Sequence, residues 1–163
     1  MATVTPSKIT PHLWFPEKAV EAANFYVSLF PDSRVVSVSP VPVDTPSGPA
    51  GSVRIVEFVL AGQPFMAIEA GPLDAFNHAI SFMVSCADQA EVDHYWEAFS
   101  SGGQIEQCGW VRDRYGLYWQ VVPTALGELM RTADPAGARR VMQAMLGMKK
   151  LDVAGLRHAA EGR

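Results

Sequence analysis

Cysteine and long apolar runs are scarce in this sequence. The two cysteines, Cys86 and Cys108, are too few for a disulfide framework or a cysteine-based zinc site, and both are expected to be small buried apolar residues. No apolar run approaches the length of a membrane span, and the N-terminus lacks the apolar core of a signal peptide. These absences predict a chain with no membrane partner, in the reducing setting of the cytoplasm.

Positive charge is also scarce. Thirteen Lys and Arg residues stand against 17 Asp and Glu, which gives a formal net charge of −4. No block of basic residues follows the chain, and the pair Lys149-Lys150 is too small to form a basic patch, so no nucleic-acid partner is expected. No glycine-rich loop follows an early strand, so the sequence lacks the signature of a nucleotide-type binding fold.

The residues that are present suit a globular domain, since 48% are hydrophobic and 18% are charged. After a loose leader (residues 1–7), a strand is predicted over residues 9–15. A helix follows over residues 17–30, because Pro16 suits a helix start and Pro31 a helix stop. Alternating or β-branched segments predict further strands over residues 34–41, 53–60, 64–69, 79–86, 105–112 and 117–122, with a second helix over 89–101.

The sequence repeats itself at an offset of 70 residues. Residues 9–15 then lie over residues 79–85, and Phe25-Tyr26 of the first helix lies over Tyr95-Trp96 of the second. We therefore expect an α+β fold of two βαβββ repeats, about residues 8–70 and 78–123, whose sheets join into one curved mixed sheet.

A helical extension is predicted over residues 124–163, after the paired domain 8–123. Its middle helix begins at Pro135, after the N-cap candidate Asp134. An apolar stripe is formed by Val141, Met142, Met145 and Leu146. Two interpretations stay open: the stripe caps the core of its own chain, or it packs on a second subunit and makes the protein a homodimer.

The centre of the second repeat is a turn, Asp113-Arg114-Tyr115-Gly116, which leads into the strand that carries Trp119-Gln120. With the two βαβββ halves, these residues resemble the vicinal oxygen chelate superfamily of glyoxalase I, bleomycin-resistance proteins and extradiol (dihydroxybiphenyl-type) dioxygenases. The resemblance spans about residues 8–160 and is closest to the PhnB-like branch, often labelled 3-demethylubiquinone-9 3-methyltransferase. It also includes Phe76-Asn77, Ala79-Ile80-Ser81-Phe82, Cys108-Gly109-Trp110, Pro123, Ala144-Met145 and Met148-Lys149-Lys150-Leu151-Asp152.

The resemblance implies where a metal would bind. The metal enzymes of the superfamily hold a divalent ion with two side chains from the first strands of the halves and two from the last. Gln120 stands where those enzymes commonly carry Glu, and Glu69 is offered by the last strand of the first half, so these two are the weak metal candidates. At an offset of 70, His12 and His78 are not equivalent positions. No intact metal site and no cofactor are therefore expected, with a divalent metal as the alternative.

Two hypotheses about function follow. The first is a module that binds or sequesters a small organic ligand in a sheet-lined pocket, with aromatic walls that also include Trp119. The predicted pocket residues are His12, Trp14, Phe65, Glu69, Ser81, Trp110, Tyr118 and Gln120. The alternative is a metal-dependent lyase, isomerase or dioxygenase for a small oxygenated substrate, with Glu69 as base or ligand and His12 nearby. The methyltransferase label is interpreted as an inherited name.

Overall fold

The computed structural model describes residues 7–71 and 74–162, so residues 1–6 of the predicted leader lie outside the described residues. The chain divides into two compact units, Met1–Asp74 (unit 1) and Ala75–Arg163 (unit 2). Within the described ranges, no helix has the length and apolar character that crossing a membrane requires.

Unit 1 is a βαβββ repeat with one four-stranded mixed sheet. The strands lie in the order β1-β4-β3-β2, with β1 parallel to β4 and the other pairs antiparallel. Its elements are β1 (His12–Phe15), α1 (Ala19–Leu29), β2 (Arg34–Pro40), β3 (Arg54–Leu60) and β4 (Gln63–Glu69).

Helix α1 covers one face of this sheet and makes the core of unit 1. Ala19, Ala22 and Ala23 are buried on the helix, and their small side chains let it approach the strands closely. Strand side chains alternate between the faces, so Leu13 and Phe15 are buried under α1 while their neighbours His12 and Trp14 are exposed.

The loop between β2 and β3 is closed by its own hydrogen bonds. Thr45 and Gly48 exchange backbone hydrogen bonds, and the Asp44 carboxylate accepts from the backbone N–H of Ala50 at 2.9 Å. At the base of the loop, the Val41 N–H donates to the Val53 carbonyl at 2.9 Å. The proline- and glycine-rich segment thus forms a defined turn without strand or helix.

Unit 2 repeats the βαβββ order and adds three helices. Its sheet has the order β5-β8-β7-β6, which corresponds strand by strand to β1-β4-β3-β2 of unit 1, and β5 is parallel to β8. Its elements are β5 (Phe82–Cys86), α2 (Gln89–Ser100), β6 (Gln104–Ile105), β7 (Trp110–Arg112), β8 (Tyr118–Pro123), α3 (Thr124–Thr132), α4 (Pro135–Leu146) and α5 (Val153–Glu161). The predicted α+β class, the two βαβββ repeats and the helical C-terminal part are confirmed.

The single strand predicted over residues 105–112 is wrong. Two short antiparallel strands, β6 and β7, replace it, with Ile105 paired with Val111. Between them the chain reverses because Cys108 and Gly109 take positive φ values of 58° and 82°. Their N–H groups donate to the carbonyls of Met148 and Lys149, both at 2.8 Å, and these bonds hold the unusual backbone in place.

The core of unit 2 lies between its sheet and α2. The rings of Phe99 and Trp119 stack with their centroids 4.4 Å apart. The buried carboxylate of Asp113 accepts from the Trp119 indole N–H at 2.8 Å and from the backbone N–H groups of Tyr115 and Leu117. Asp113 therefore fixes the β7–β8 turn and the orientation of Trp119 together.

The C-terminal helices are packed into unit 2. Leu151 and Leu156 are fully buried, and so is Val141 of the predicted apolar stripe. The Gln89 side chain of α2 donates to the Leu151 carbonyl and accepts from the Val153 N–H at 2.9 Å. The stripe thus contributes to the core of its own unit, while Met142 and Leu146 stay exposed at 38% and 59%.

The two repeats match at offset 70 in their helices and at offset 71 in their first strands. Helices α1 and α2 begin at residues 19 and 89. In the strands, however, buried Leu13 corresponds to buried Val84. Because side chains alternate, the offset of 70 assigns every residue of the first strand to the wrong face. The true equivalents of Thr10 and His12 are therefore Ser81 and Met83.

Candidate functional site

One sheet face of unit 2 gathers polar and aromatic side chains. It is the face turned away from α2, and we call it the distal face of unit 2. Strand alternation and the strand register, together with the Ser81–Gln120 hydrogen bond, assign to it the residues Ser81, Met83, Trp110, Arg112, Tyr118 and Gln120.

Gln120 lies at the centre of the distal face. It is flanked in register by Met83 on β5 and by Trp110 on β7. Its amide nitrogen donates to the Ser81 hydroxyl oxygen at 2.8 Å. Its amide oxygen accepts no hydrogen bond from any residue that the structure describes, so it remains available as an acceptor.

The segment before β5 places an imidazole over this face. The His78 ring lies against the Tyr118 ring with centroids 4.2 Å apart and against Trp110 at 5.7 Å. Its Nε2 is 2.7 Å from a carboxylate oxygen of Glu106, which fixes the ring position. Tyr118 is buried as a result, and Trp110 remains half-buried.

An open cleft of about 550 Å³ lies beside these rings. It is lined by His78, Glu106, Cys108, Trp110 and Lys149, among others. Aromatic, acidic and basic groups therefore meet at one concave surface, which suits a small polar organic molecule better than a purely apolar one.

Four of the predicted pocket residues meet on the distal face: Ser81, Trp110, Tyr118 and Gln120. Trp119, which was expected in the aromatic wall, faces α2 instead and stacks on Phe99. Its position follows from strand alternation, because Trp119 lies between Tyr118 and Gln120.

The unit 1 residues of the predicted pocket lie on two different faces of their sheet. His12 and Trp14 point away from α1, and the Trp14 indole N–H donates to the Ala70 carbonyl at 2.5 Å. Phe65 and Glu69 are buried on the α1 side. Phe65 stacks on Phe58 and lines a cleft of about 250 Å³ within unit 1.

The carboxylate of Glu69 is used within unit 1. One oxygen accepts from the Ala19 N–H at 2.7 Å, at the start of α1, and the other pairs with Arg54. The N-cap residue Lys18 has no capping side chain and a left-handed backbone with φ of 63°. Glu69 therefore supplies the acceptor and the negative charge that the N-terminus of α1 otherwise lacks.

The side chains that could ligate a metal at equivalent positions of the two units are of different chemical types. On the face away from the helix, His12 is the register partner of Met66 in unit 1, and Met83 is that of Gln120 in unit 2. Neither pair contains a carboxylate. Over residues 7–71 and 74–162, no three His, Cys, Asp or Glu side chains lie close enough together to hold one ion.

Sequence reasoning missed Met83, Arg112 and Glu106. Met83 is found once the strands are aligned at offset 71. Arg112 follows from alternation, since it lies two residues after Trp110 and is the register partner of Tyr118. Glu106 gives no comparable signal, because its contact with His78 depends on the tight reversal at Cys108 and Gly109.

Comparison with known proteins places residues 7–122 in the family model described as 3-demethylubiquinone-9 3-methyltransferase. A Bacillus cereus PhnB protein with the same description is 33% identical; the match covers 72% of this chain and 99% of that one, with a TM-score of 0.64. A search of curated proteins found no match.

Two further solved structures share the fold at lower identity. A Pseudomonas aeruginosa protein is 20% identical, with 72% of this chain and 98% of that chain covered and a TM-score of 0.56. The fosfomycin resistance protein FosX from Listeria monocytogenes is 14% identical, with 78% and 98% covered and a TM-score of 0.53. These two similarities concern the fold alone.

Proposed function

Because the chain belongs to the PhnB-like family described as 3-demethylubiquinone-9 3-methyltransferase, within the vicinal oxygen chelate superfamily, we propose that it binds a small organic ligand on the distal face of unit 2, without a resident metal. The ligand would lie against Trp110 and hydrogen-bond to Gln120. Binding or sequestration, rather than metal-dependent catalysis, is then the activity of the site.

The position of Gln120 carries this proposal. The Ser81 hydroxyl holds the amide in one orientation through the bond from Nε2, and the amide oxygen remains free to accept. A neutral amide can both donate and accept, so it suits an uncharged polar group on a ligand. The neighbouring Trp110 and His78 rings supply flat surfaces for the apolar part of the ligand.

The donor chemistry argues against a divalent metal. Mid-field dications prefer imidazole and anionic oxygen. Of the four equivalent positions only His12 offers such a group, since Met66 and Met83 carry soft thioethers and Gln120 carries a neutral amide. The carboxylate of Glu69 is taken by α1 and Arg54. The residues present therefore do not fit the metal that the superfamily's enzymes use.

Methyl transfer is not part of the proposal. The segment between β1 and α1, Pro16-Glu17-Lys18, contains no glycine that would let the backbone approach a nucleotide-like cofactor. The family description is thus treated as a label for the family and not for a reaction of this chain.

Benzamide is a suitable first probe, because it joins a flat ring to a neutral amide. In ¹⁵N-labelled protein, we expect it to shift the indole signal of Trp110, assigned with a Trp110→Phe variant. Gln120→Ala should weaken its binding by about 1–3 kcal/mol, since a hydrogen-bond partner is lost. An unchanged affinity in this variant would contradict the proposed role of Gln120.

A metal titration tests the alternative function. Gln120→Glu restores the carboxylate that the superfamily's enzymes commonly carry, but the register partner Met83 remains a thioether. We expect neither wild type nor this variant to bind manganese, nickel or zinc tightly in calorimetry. Nanomolar binding of one ion per chain by the Glu variant would favour the metalloenzyme.

A further inference from the structure

Arg112 is a half-buried cation, and its Nε is an enclosed donor that has no partner among the described residues. No ion pair within these residues includes its guanidinium. Buried donors are nearly always hydrogen-bonded, so an unpaired guanidinium nitrogen calls for a missing acceptor.

The surroundings hold this guanidinium at the edge of the distal face. Arg112 is the register partner of Tyr118 in the last pair of the β7–β8 hairpin. Its Nη2 lies against the turn at Gly116, where an added Cβ would be 3.5 Å away. The backbone of Gly116 has φ of 87°, a conformation that favours glycine, and the absent side chain leaves room for the planar group.

Arg112 and Gln120 are close enough to bind one small molecule. Gln120 is two residues beyond Tyr118 on the same strand, so it is a diagonal neighbour of Arg112, at a typical separation of about 7–8 Å. The Glu106 carboxylate, the acidic group that lines the neighbouring cleft, is already engaged by His78. The distal face therefore offers the fixed amide of Gln120 and, one β7–β8 register pair away, the positive charge of Arg112, which has no ion-pair partner among the described residues.

We propose that Arg112 makes this an oxyanion site, so that the natural ligand is a small aromatic or unsaturated molecule with a carboxylate or phosphoryl group. This inference rests on the proposed function, because it adds a charge requirement to the same face. The guanidinium binds the oxyanion through two parallel N–H donors, and Gln120 binds a second polar group. The oxyanion supplies the acceptor that the guanidinium lacks within the chain.

The test compares charged and neutral probes of one shape. Benzoate, phenylphosphonate and benzamide are titrated into ¹⁵N-labelled full-length protein at physiological salt, with the Trp110 indole signal as readout. We expect wild type to bind at least one anion tenfold or more tightly than benzamide. The ratio of the two anion affinities distinguishes a carboxylate ligand from a phosphoryl ligand.

Variants assign the effect to Arg112. Arg112→Gln should weaken anion binding by roughly tenfold to a hundredfold and leave benzamide within about twofold. The anion affinity of Arg112→Lys should lie between those of wild type and Arg112→Gln, since lysine keeps the charge but lacks the planar fork. The matched control is Arg114→Gln, which removes the same charge from the same hairpin and should change anion affinity by less than about twofold.

The outcomes separate this inference from the proposed function. If benzamide binds as tightly as the anions and Arg112→Gln changes nothing, the oxyanion site is wrong, although Gln120-dependent binding of benzamide would still support a ligand face. If no probe moves the Trp110 signal, both proposals fail. A dispersed ¹⁵N spectrum of each variant verifies that it is folded.

Discussion

Glu69 illustrates how a predicted site residue serves the fold. Its carboxylate is buried, accepts from the N-terminus of α1 and pairs with Arg54. Since Lys18 provides no capping side chain, this contact replaces the usual cap from the same segment. A glutamate at the end of a strand thus stabilises unit 1 by linking its sheet to its helix.

Replacing Glu69 should therefore reduce stability. Glu69→Gln is expected to lower the free energy of unfolding by about 1–3 kcal/mol, because a charged acceptor at a helix N-terminus is lost. The exposed Glu57→Gln, at a carboxylate that accepts a hydrogen bond from the Ser37 hydroxyl, should stay within about 0.5 kcal/mol. Urea unfolding followed by circular dichroism measures both, and equal effects would contradict a structural role for Glu69.

Cys86 couples stability to alkaline pH. Burial, followed by the negative charge of Glu91, raises the pKa of its thiol from 9.0 to about 11. The folded state therefore favours the neutral thiol. This contribution is fully present below pH 9, where the unfolded thiol is also neutral, and it is lost as pH rises through 11.

The Cys86→Ala variant isolates this effect. Between pH 8 and 11, wild type should lose on the order of 2 kcal/mol more stability than the variant does. Urea unfolding at several pH values measures this difference in stability. The control Ser85→Ala, on the exposed side of the same strand, should show the same pH dependence as wild type. Parallel pH profiles for wild type and Cys86→Ala would refute the prediction.

At the level of elements, the C-terminal helices are held to the second repeat by a small set of contacts. Leu151 is fully buried and lies against Gly109, where an added Cβ would be 3.3 Å from its side chain. Lys150 Nζ is 2.6 Å from the Asp93 carboxylate on α2, and this hydrogen bond lowers the pKa of Asp93. The region after Pro123 thus stabilises the β6–β7 reversal as well as its own helices.

Truncating Leu151 tests that coupling. Leu151→Ala should destabilise the protein by about 2–4 kcal/mol through the lost contacts and the remaining cavity. Ile80→Ala, at a side chain that is 71% exposed, should change stability by less than about 0.5 kcal/mol. Thermal or urea unfolding measures both, and a small effect of Leu151→Ala would mean that the tail is energetically separate.

Elements were predictable where several local signals agreed. Pro16 before α1, Pro31 after it and alternating apolar residues in β3 and β4 gave those elements close to their observed bounds. The reversal between β6 and β7 was not predictable. It depends on the positive φ of Cys108, a residue with no preference for that conformation, and on carbonyls of residues 148 and 149 far along the chain.

The candidate site was predictable only in part, because an alignment error of one residue assigns a strand side chain to the opposite face of the sheet. The connection from β5 to α2 is one residue shorter than that from β1 to α1, so helices and first strands cannot share one offset. The face of Gln120 and its neighbours was predicted from side-chain alternation within β8, which needs no alignment of the two repeats. Met83 required the offset of 71, and Glu69 was assigned to a ligand face although its helix contact places it on the other.

At the level of the whole molecule, residues 7–122 carry the family match, and helices α3, α4 and α5 lie beyond it. Val141 of these helices belongs to the core, so it is not available to a partner. Met142 and Leu146 are exposed, and a spacing of four residues places them on one face of α4. The apolar surface that predicts a second subunit is thus reduced to this face.

We expect a homodimer that uses the α4 face defined by Met142 and Leu146. Light scattering at tens of micromolar should then give twice the 17.7 kDa mass of one chain. The double variant Met142→Glu with Leu146→Glu should give a single-chain mass, because charged side chains oppose burial of this face. Val43→Glu, at another exposed apolar residue, should remain dimeric. A single-chain mass for wild type would refute the dimer, and a dimeric double variant would place its interface elsewhere.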